Sequence, residues 1–243
     1  MSAASGLPLL LPDELNPWIT STYGTGEMIS DALNRGCRKF LVGIGGSATN
    51  DAGTGMLSAL GVRFLDSRGQ RLKGCGRDLE SIARIDMSSL MPAARESEFI
   101  VACDVNTPFC GPDGAARVFA PQKGANPQTT EALDRGMRSF AQVIAGQFQT
   151  DIVPLSGAGA AGGLGGAFKA FLNARLTAGI EMVLDAIAFD SLLEGASLVI
   201  TGEGRIDAQT AAGKTAAGVL RHAARKRNPR HRHRRVRGNV PGA

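Results

Sequence analysis

The run Arg38 to Ile44, RKFLVGI, followed at once by GGSATNDAGTG, constrains this chain more than any other feature. A short, almost wholly apolar segment closed by glycines reads as a buried strand. Its exit through Gly45-Gly46-Ser47 into a pattern carrying Met56, Leu57 and Leu60 reads as a turn and a helix. The alternation continues downstream. Val62 to Leu65 is a second strand, closed by the turn Asp66-Ser67-Arg68-Gly69, and Glu98 to Asp104 (EFIVACD) a third. A long polar loop is then expected, ending at Pro121-Gln122-Lys123-Gly124. Pro127 opens a helix to about Phe148, with Leu133, Met137, Phe140, Val143 and Ile144 on one stripe. The glycine-rich loop Ser156 to Gly166 precedes a helix Ala167 to Leu172, and another helix is expected over Ile180 to Phe189. Ser197 to Thr201 (SLVIT) reads as a strand, and the loop Gly202 to Gly213 returns into a last helix. No internal repeat is visible. This alternation points to an α/β fold. Because the glycine loops tend to follow strands, the candidate chemistry falls in one crevice at the strands' carboxyl ends, if the strands share a sheet.

With 43% hydrophobic and 20% charged residues, the 243-residue chain can bury one large core or two small ones. No apolar run reaches the ~20 residues a membrane helix needs. The start, MSAASGLPLLLPDELNPW, has no basic region and is interrupted by prolines, so no signal peptide is expected. Cys37, Cys75, Cys103 and Cys110 form no CxxC pair and read as reduced thiols of a cytoplasmic protein. The net charge of +5 is unevenly placed. Residues 221–243 hold nine Lys/Arg and no acid, which leaves eighteen basic against twenty-two acidic side chains in residues 1–220. A basic tail could hold nucleic acid by neutralising phosphates, but it lacks aromatic residues for base stacking.

Three stretches invite a chemical reading. Gly43-x-Gly45-x-x-Ala48 fits the dinucleotide pattern GxGxxG/A, with Asp66 ending the next strand. Asn50 and Asp51 argue against it, since they fall in the expected first helical turn, where a carboxylate repels pyrophosphate. Ser47, Thr49, Asn50 and Asp51 instead form a compact set suited to a small polyol acid, and a plain capped helix stays open beside that reading. Ala208 to Thr215 (AQTAAGKT) is a Walker A motif without its first glycine, and GEGRID stands between it and the strand, so a true P-loop is not expected. Lys214, at a helix start, could still contact a phosphate. A second GxGxxG, Gly157-x-Gly159-x-x-Gly162, is weak because glycine-rich loops produce such matches by chance. In TGEGRIDAQTAAGK (Thr201 to Lys214), Glu203, Arg205, Asp207 and Lys214 cluster after a strand. Phosphoryl transfer needs such carboxylates to hold Mg2+ or orient the attacking hydroxyl, and such cations to neutralise the transferred group. An ion-paired, solvated turn is the alternative.

GGSATND, the PQKGA that follows a CDV…GP segment, GAGAAGGLGG, GIEMVLDAI and VITGEGRIDAQT…GK resemble, in this order, the motifs of the type I glycerate kinase family. The resemblance runs from about Ala4 to His222. It implies a two-lobed α/β enzyme that uses ATP with Mg2+ to phosphorylate D-glycerate, with the 2-position favoured. The expected lobes are a partial flavodoxin-like parallel-sheet domain (residues 1–45 and 196–224) and an inserted α/β domain (46–195), followed by an atypical tail, 225–243. Asp207, Glu203 and Lys214 are then the expected catalytic residues. Asp207 and Glu203, with Asp104 in second rank, are the expected Mg2+ carboxylates. Gly45, Gly46, Ser47, Thr49, Asn50, Asp51, Arg205 and Lys123 are expected to hold substrate or phosphate. No histidine takes part, because His222 lies on a helix and His231 and His233 lie in the tail.

The family pattern also implies a strand and a DSFK-like motif upstream of Met1, and an apolar strand where this chain reads RKRNPRHRHRRVRGNVPGA. A frame change near Arg225 is one expectation and a genuine basic arm the other. Three functions follow: a glycerate kinase, a non-catalytic remnant of one, and, weakest, a nucleic-acid-binding protein using the tail.

Overall fold

In the computed structural model, residues 1–202 and 215–225 are described. The chain divides into two compact units, Met1–Met182 and Val183–Ala243. The fold class is α/β, with a parallel sheet as its centre.

Strands β1 (Lys39–Gly43), β4 (Glu98–Ala102) and β5 (Arg175–Thr177) form that sheet in the order β1-β4-β5, all parallel. Leu41 lies opposite Ile100, and Ile100 opposite Arg175. The sheet thus takes one strand from before residue 45 and two from after it. Phe99 and Val101 of the central strand are buried, and Phe99 stacks on Phe40 with ring centroids 4.7 Å apart and meets Phe168 at 5.8 Å. The second sheet is an antiparallel pair, β2 (Arg63–Leu65) with β3 (Arg84–Asp86).

The longest helix, α6 (Pro127–Phe148), begins and ends as its sequence predicts. Asn126 Oδ1 accepts from the Thr129 backbone N–H at 2.8 Å, and Pro127 costs no hydrogen bond in the first turn. Its apolar stripe buries Leu133, Met137, Phe140 and Ile144, with Phe140 edge-on to Phe64. At its end, Gln147 bonds both the N–H and the C=O of Ile85, extending the edge of β3 with a side-chain amide.

Several elements differ from the sequence reading. The polar stretch after β4 contains a helix, α5 (Ala115–Phe119), and a 3-10 turn, Pro121–Lys123. Helix α3 (Thr54–Ala59) starts after Asp51, so Asn50 and Asp51 precede the helix rather than fill its first turn. Helix α7 (Ala160–Leu172) begins inside the expected glycine loop, then takes three left-handed residues, Ala161, Gly162 and Gly163 (φ 53°, 68° and 93°), before continuing. Glycine is what makes that reversal affordable. Helix α8 (Gly179–Ala186) stops short of Phe189 because Ala188 turns left-handed at φ 51°, and α9 (Phe189–Leu192) follows.

Ser197–Thr201 was expected to be a strand. It pairs with no described strand, and Leu198 and Ile200 are 76% and 86% exposed. An apolar run becomes a sheet strand only where a neighbour takes up its hydrogen bonds, and periodicity does not reveal that neighbour. Strands β3 and β5 were not foreseen. At three residues each, RID and RLT, they are too short to carry a pattern. Within the second unit, the helix Thr215–Arg225 carries His222, whose Nδ1 lies 2.6 Å from Asp190 Oδ1 with its ring against Phe189. This histidine holds two helices together. No described helix is long and apolar enough to cross a membrane.

Candidate functional site

A cleft of about 250 Å³ opens at the carboxyl ends of β1 and β4. Gly45, Gly46 and Ser47 form one wall, Asp104 continues β4 into another, and Lys123 and Ala161 come from the 3-10 turn and the left-handed bend of α7. This is where open parallel sheets bind ligands, because the loops leaving adjacent strands part there. The volume sits just below the range that drug-sized ligands fill, so it suits a small acid or part of a larger ligand.

Ser47 is held by backbone bonds on either side. Leu7 N–H donates to Gly46 O at 2.9 Å and Ala48 N–H to Ser5 O at 3.0 Å, so the turn is clamped by the chain's first residues. Lys123 is turned inward by the 3-10 turn, which ends where Gly124 takes φ 95°. Its side chain is 1% exposed, and Nζ donates to Ser47 Oγ and to Thr49 O, both at 2.7 Å. Burial disfavours the ammonium and brings its pKa down to about 8, against the opposing pull of the Asp51 charge.

Asp51 lies behind that wall, fully buried. Its Oδ2 accepts from Thr22 N (2.7 Å), Thr22 Oγ1 (2.8 Å), Gly55 N (3.2 Å) and Ser21 Oγ (3.4 Å), and its Oδ1 accepts from Gly53 N (3.1 Å). Burial raises its pKa, and the bonds from Thr22, Gly53 and Gly55 work against that rise. The carboxylate therefore uses the amides that a dinucleotide phosphate would need at the start of α3, which removes the Rossmann reading of this loop. Asn50 Nδ2 lies 3.2 Å from Met137 Sδ, while Asn50 Oδ1 and Thr49 Oγ1 are buried with no hydrogen-bond partner among the described residues.

Of the sequence-expected binding residues, the structure brings Gly45, Gly46, Ser47, Lys123 and Asp104 to the cleft. It places Thr49, Asn50 and Asp51 in the wall behind, all essentially inaccessible. Glu203, Arg205, Asp207 and Lys214 lie outside the described residues. Sequence reasoning missed Cys103, Phe119, Gln122 and the Ala160-Ala161 bend as lining. Only Gln122 had a local signal, its place beside Lys123. Asp104 Oδ1 accepts from Gly179 N–H at 2.8 Å, at the start of α8. Among the described residues no three His, Cys, Asp or Glu side chains gather as a metal site. Asp104 thus offers one carboxylate, which suffices for Mg2+ only alongside water and phosphate oxygens or carboxylates from elsewhere. All four cysteines are free thiols, and burial raises the pKa of Cys75, Cys103 and Cys110.

A second cavity, about 290 Å³, is lined by Pro112, Arg117, Asp134 and Arg138. Its buried Asp134 is already engaged by Arg117 (3.7 Å), Arg138 (3.3 Å) and the Gly111 N–H (2.7 Å), which gives it the character of a closed ion-pair cluster.

Residues 1–231 match the model of the glycerate kinase family. A glycerate kinase of Halalkalibacterium halodurans is 48% identical over 92% of this chain and 59% of its own length. The glycerate 2-kinase of Escherichia coli is 43% identical over 94% of this chain and 60% of its own length. Among solved structures, a chain assigned as glycerate kinase 2 of Salmonella typhimurium LT2 superposes with a TM-score of 0.86 at 46% identity, covering 94% of this chain and 61% of that one. The chain therefore spans about 60% of the length of the relatives it matches.

Proposed function

Because the chain belongs to the glycerate kinase family, we propose that it transfers the γ-phosphoryl group of ATP to D-glycerate. The observation that carries this reading is Lys123. A lysine that is 1% exposed, fixed 2.7 Å from Ser47 Oγ in the lining of a cleft at the strand ends, is a preorganised cation beside a hydroxyl. Its Nζ keeps donor capacity for a carboxylate or phosphate oxygen. Ser47 and the backbone of Gly45-Gly46 face the same space and would orient the acceptor. Asp51, Asn50 and Thr49 act from behind, by holding that wall in shape.

ATP would supply the phosphoryl group, and bound Mg2+ would supply positive charge to offset that of the phosphate oxygens. Toward these groups the chain offers Asp104 from the cleft, with Glu203 and Asp207 as carboxylates and Arg205 and Lys214 as cations. The 2-hydroxyl is the favoured acceptor, a choice supported by the Escherichia coli relative's being named a glycerate 2-kinase. A cytoplasmic setting agrees with four free thiols.

The test is the purified chain with ATP, Mg2+ and D-glycerate. Product that enolase dehydrates directly is 2-phosphoglycerate, and product that first needs a mutase is the 3-isomer. No phosphorylated glycerate at all would sink the kinase reading and leave a non-catalytic relative.

A further inference from the structure

We propose that Ser47 and Lys123 form a proton-transfer pair at the cleft, in which Lys123 Nζ takes the Ser47 proton and Ser47 Oγ becomes the reactive oxygen of the site. As it concerns the reacting acceptor, this inference rests on the kinase reading. The chemistry of the pair itself does not.

Four features carry it. Ser47 Oγ makes no described hydrogen bond other than the 2.7 Å contact with Lys123 Nζ, so no other described group competes for its hydrogen. Thr49 O, also 2.7 Å from Nζ, can only accept, so it fixes one amine hydrogen. In the neutral amine, that arrangement leaves the lone pair for the Ser47 O–H. Among the described residues no carboxylate bonds the amine: Asp51 stands behind the wall, Asp104 and the Cys103 thiol line the cleft, and these are the described ionisable groups around it. Burial brings the protonated and neutral forms into balance near pH 8, where a base is useful. Serine activated by a lysine at hydrogen-bond distance is a known form of nucleophilic and proton-transfer chemistry.

With an acceptor in place, the step balances as follows. The acceptor oxygen bonds to the γ-phosphorus, and the bond from phosphorus to the ADP oxygen breaks. The acceptor proton passes to Ser47 Oγ, whose own proton passes to Lys123 Nζ. The resulting ammonium then lies beside the new phosphate ester.

The experiment uses a small electrophile, diisopropyl fluorophosphate, so that it needs no kinase turnover. Attack by Ser47 Oγ forms an O–P bond, expels fluoride and leaves the proton on Lys123. An adduct on the peptide carrying Ser47 is expected, at a rate that rises with pH through about 8. Lys123→Arg keeps the positive charge but cannot become neutral, and it should slow labelling on the order of 10²-fold or more. Absence of the Ser47 adduct in the wild-type chain, a rate independent of pH, or undiminished labelling in a folded Lys123→Arg chain would each overturn the proposal. The wild-type pH profile decides the matter even if the variant does not fold. Labelling without glycerate phosphorylation would remove only the kinase reading, and phosphorylation without labelling would remove only this one.

Discussion

Asp51 Oδ2 accepts from both the backbone N–H and the hydroxyl of Thr22, at 2.7 and 2.8 Å, across 29 residues of sequence. Thr22 Oγ1 in turn accepts from Met56 N–H at 2.8 Å. One carboxylate thus ties the start of α2 (Tyr23–Asn34) to the start of α3 from inside the core.

Asp51→Ala should therefore act on stability first. It leaves the buried N–H groups of Thr22, Gly53 and Gly55 unpaired, at roughly 1–3 kcal/mol each when nothing relaxes. A loss of about 3 kcal/mol or more is expected, and Thr22→Val should lose about 1–2 kcal/mol. Denaturant midpoints measure both. An alanine variant as stable as the wild type would mean the carboxylate is not the tie.

Lys123 should make stability rise with pH in the alkaline range. The folded chain releases this proton at about 8, whereas the unfolded chain holds it to 10.5. Between those values the unfolded state binds more protons, so unfolding becomes harder as pH increases. The gain approaches about 3 kcal/mol over the full interval, and Lys123→Met should lack it. Parallel curves for the two proteins from pH 8 to pH 10.5 would contradict the assignment.

Gly162 has φ 68°, and a Cβ there would collide with the Thr49 carbonyl, the same carbonyl that fixes Lys123. Gly162→Ala is expected to cost at least about 2 kcal/mol from backbone strain and displacement. It should also move the pH at which Ser47 is labelled. Gly146→Ala, in α6 where a Cβ meets nothing within 4 Å, is the control and should stabilise by about 0.5–1 kcal/mol. Equal thermal midpoints for the two variants would refute the contrast.

Asp207→Ala and Glu203→Ala test the carboxylates proposed for Mg2+ or acceptor orientation. Loss of the true one should lower kcat on the order of 10²–10³-fold, the effect of removing one preorganised electrostatic group. Nucleotide affinity should change much less if the group serves the acceptor. Full turnover in both variants would return this loop to a solvated ion-paired turn.

Much of the framework was legible in the sequence. The Asn126-Pro127 start of α6, the apolar runs of β1 and β4 and the glycine turn after β1 each signal within a few residues, and each stands where the pattern put it, although β1, expected to be buried, alternates exposed and half-buried residues with Leu41 59% exposed. Ser47 and Lys123 were also named as neighbours of the chemistry. Their contact was not foreseen, nor was the retreat of Thr49, Asn50 and Asp51 into the wall. The helix in the 115–119 stretch and the bend at 161–163 escaped because Gly, Ala and Pro spacing alone does not separate a loop from short helical turns.

The sequence by itself determined the local grammar of this protein: where strands and helices form, where glycine lets the chain reverse, and the order of motifs that marks its family. Tertiary structure alone decided what the polar residues are. Lys123 and Ser47 are 76 residues apart, and only the fold brings them to 2.7 Å and removes water from around the amine. Caps, turns and periodicity act over a few residues, whereas the protonation of a side chain is set by the solvent and charges around it, which the distant chain supplies.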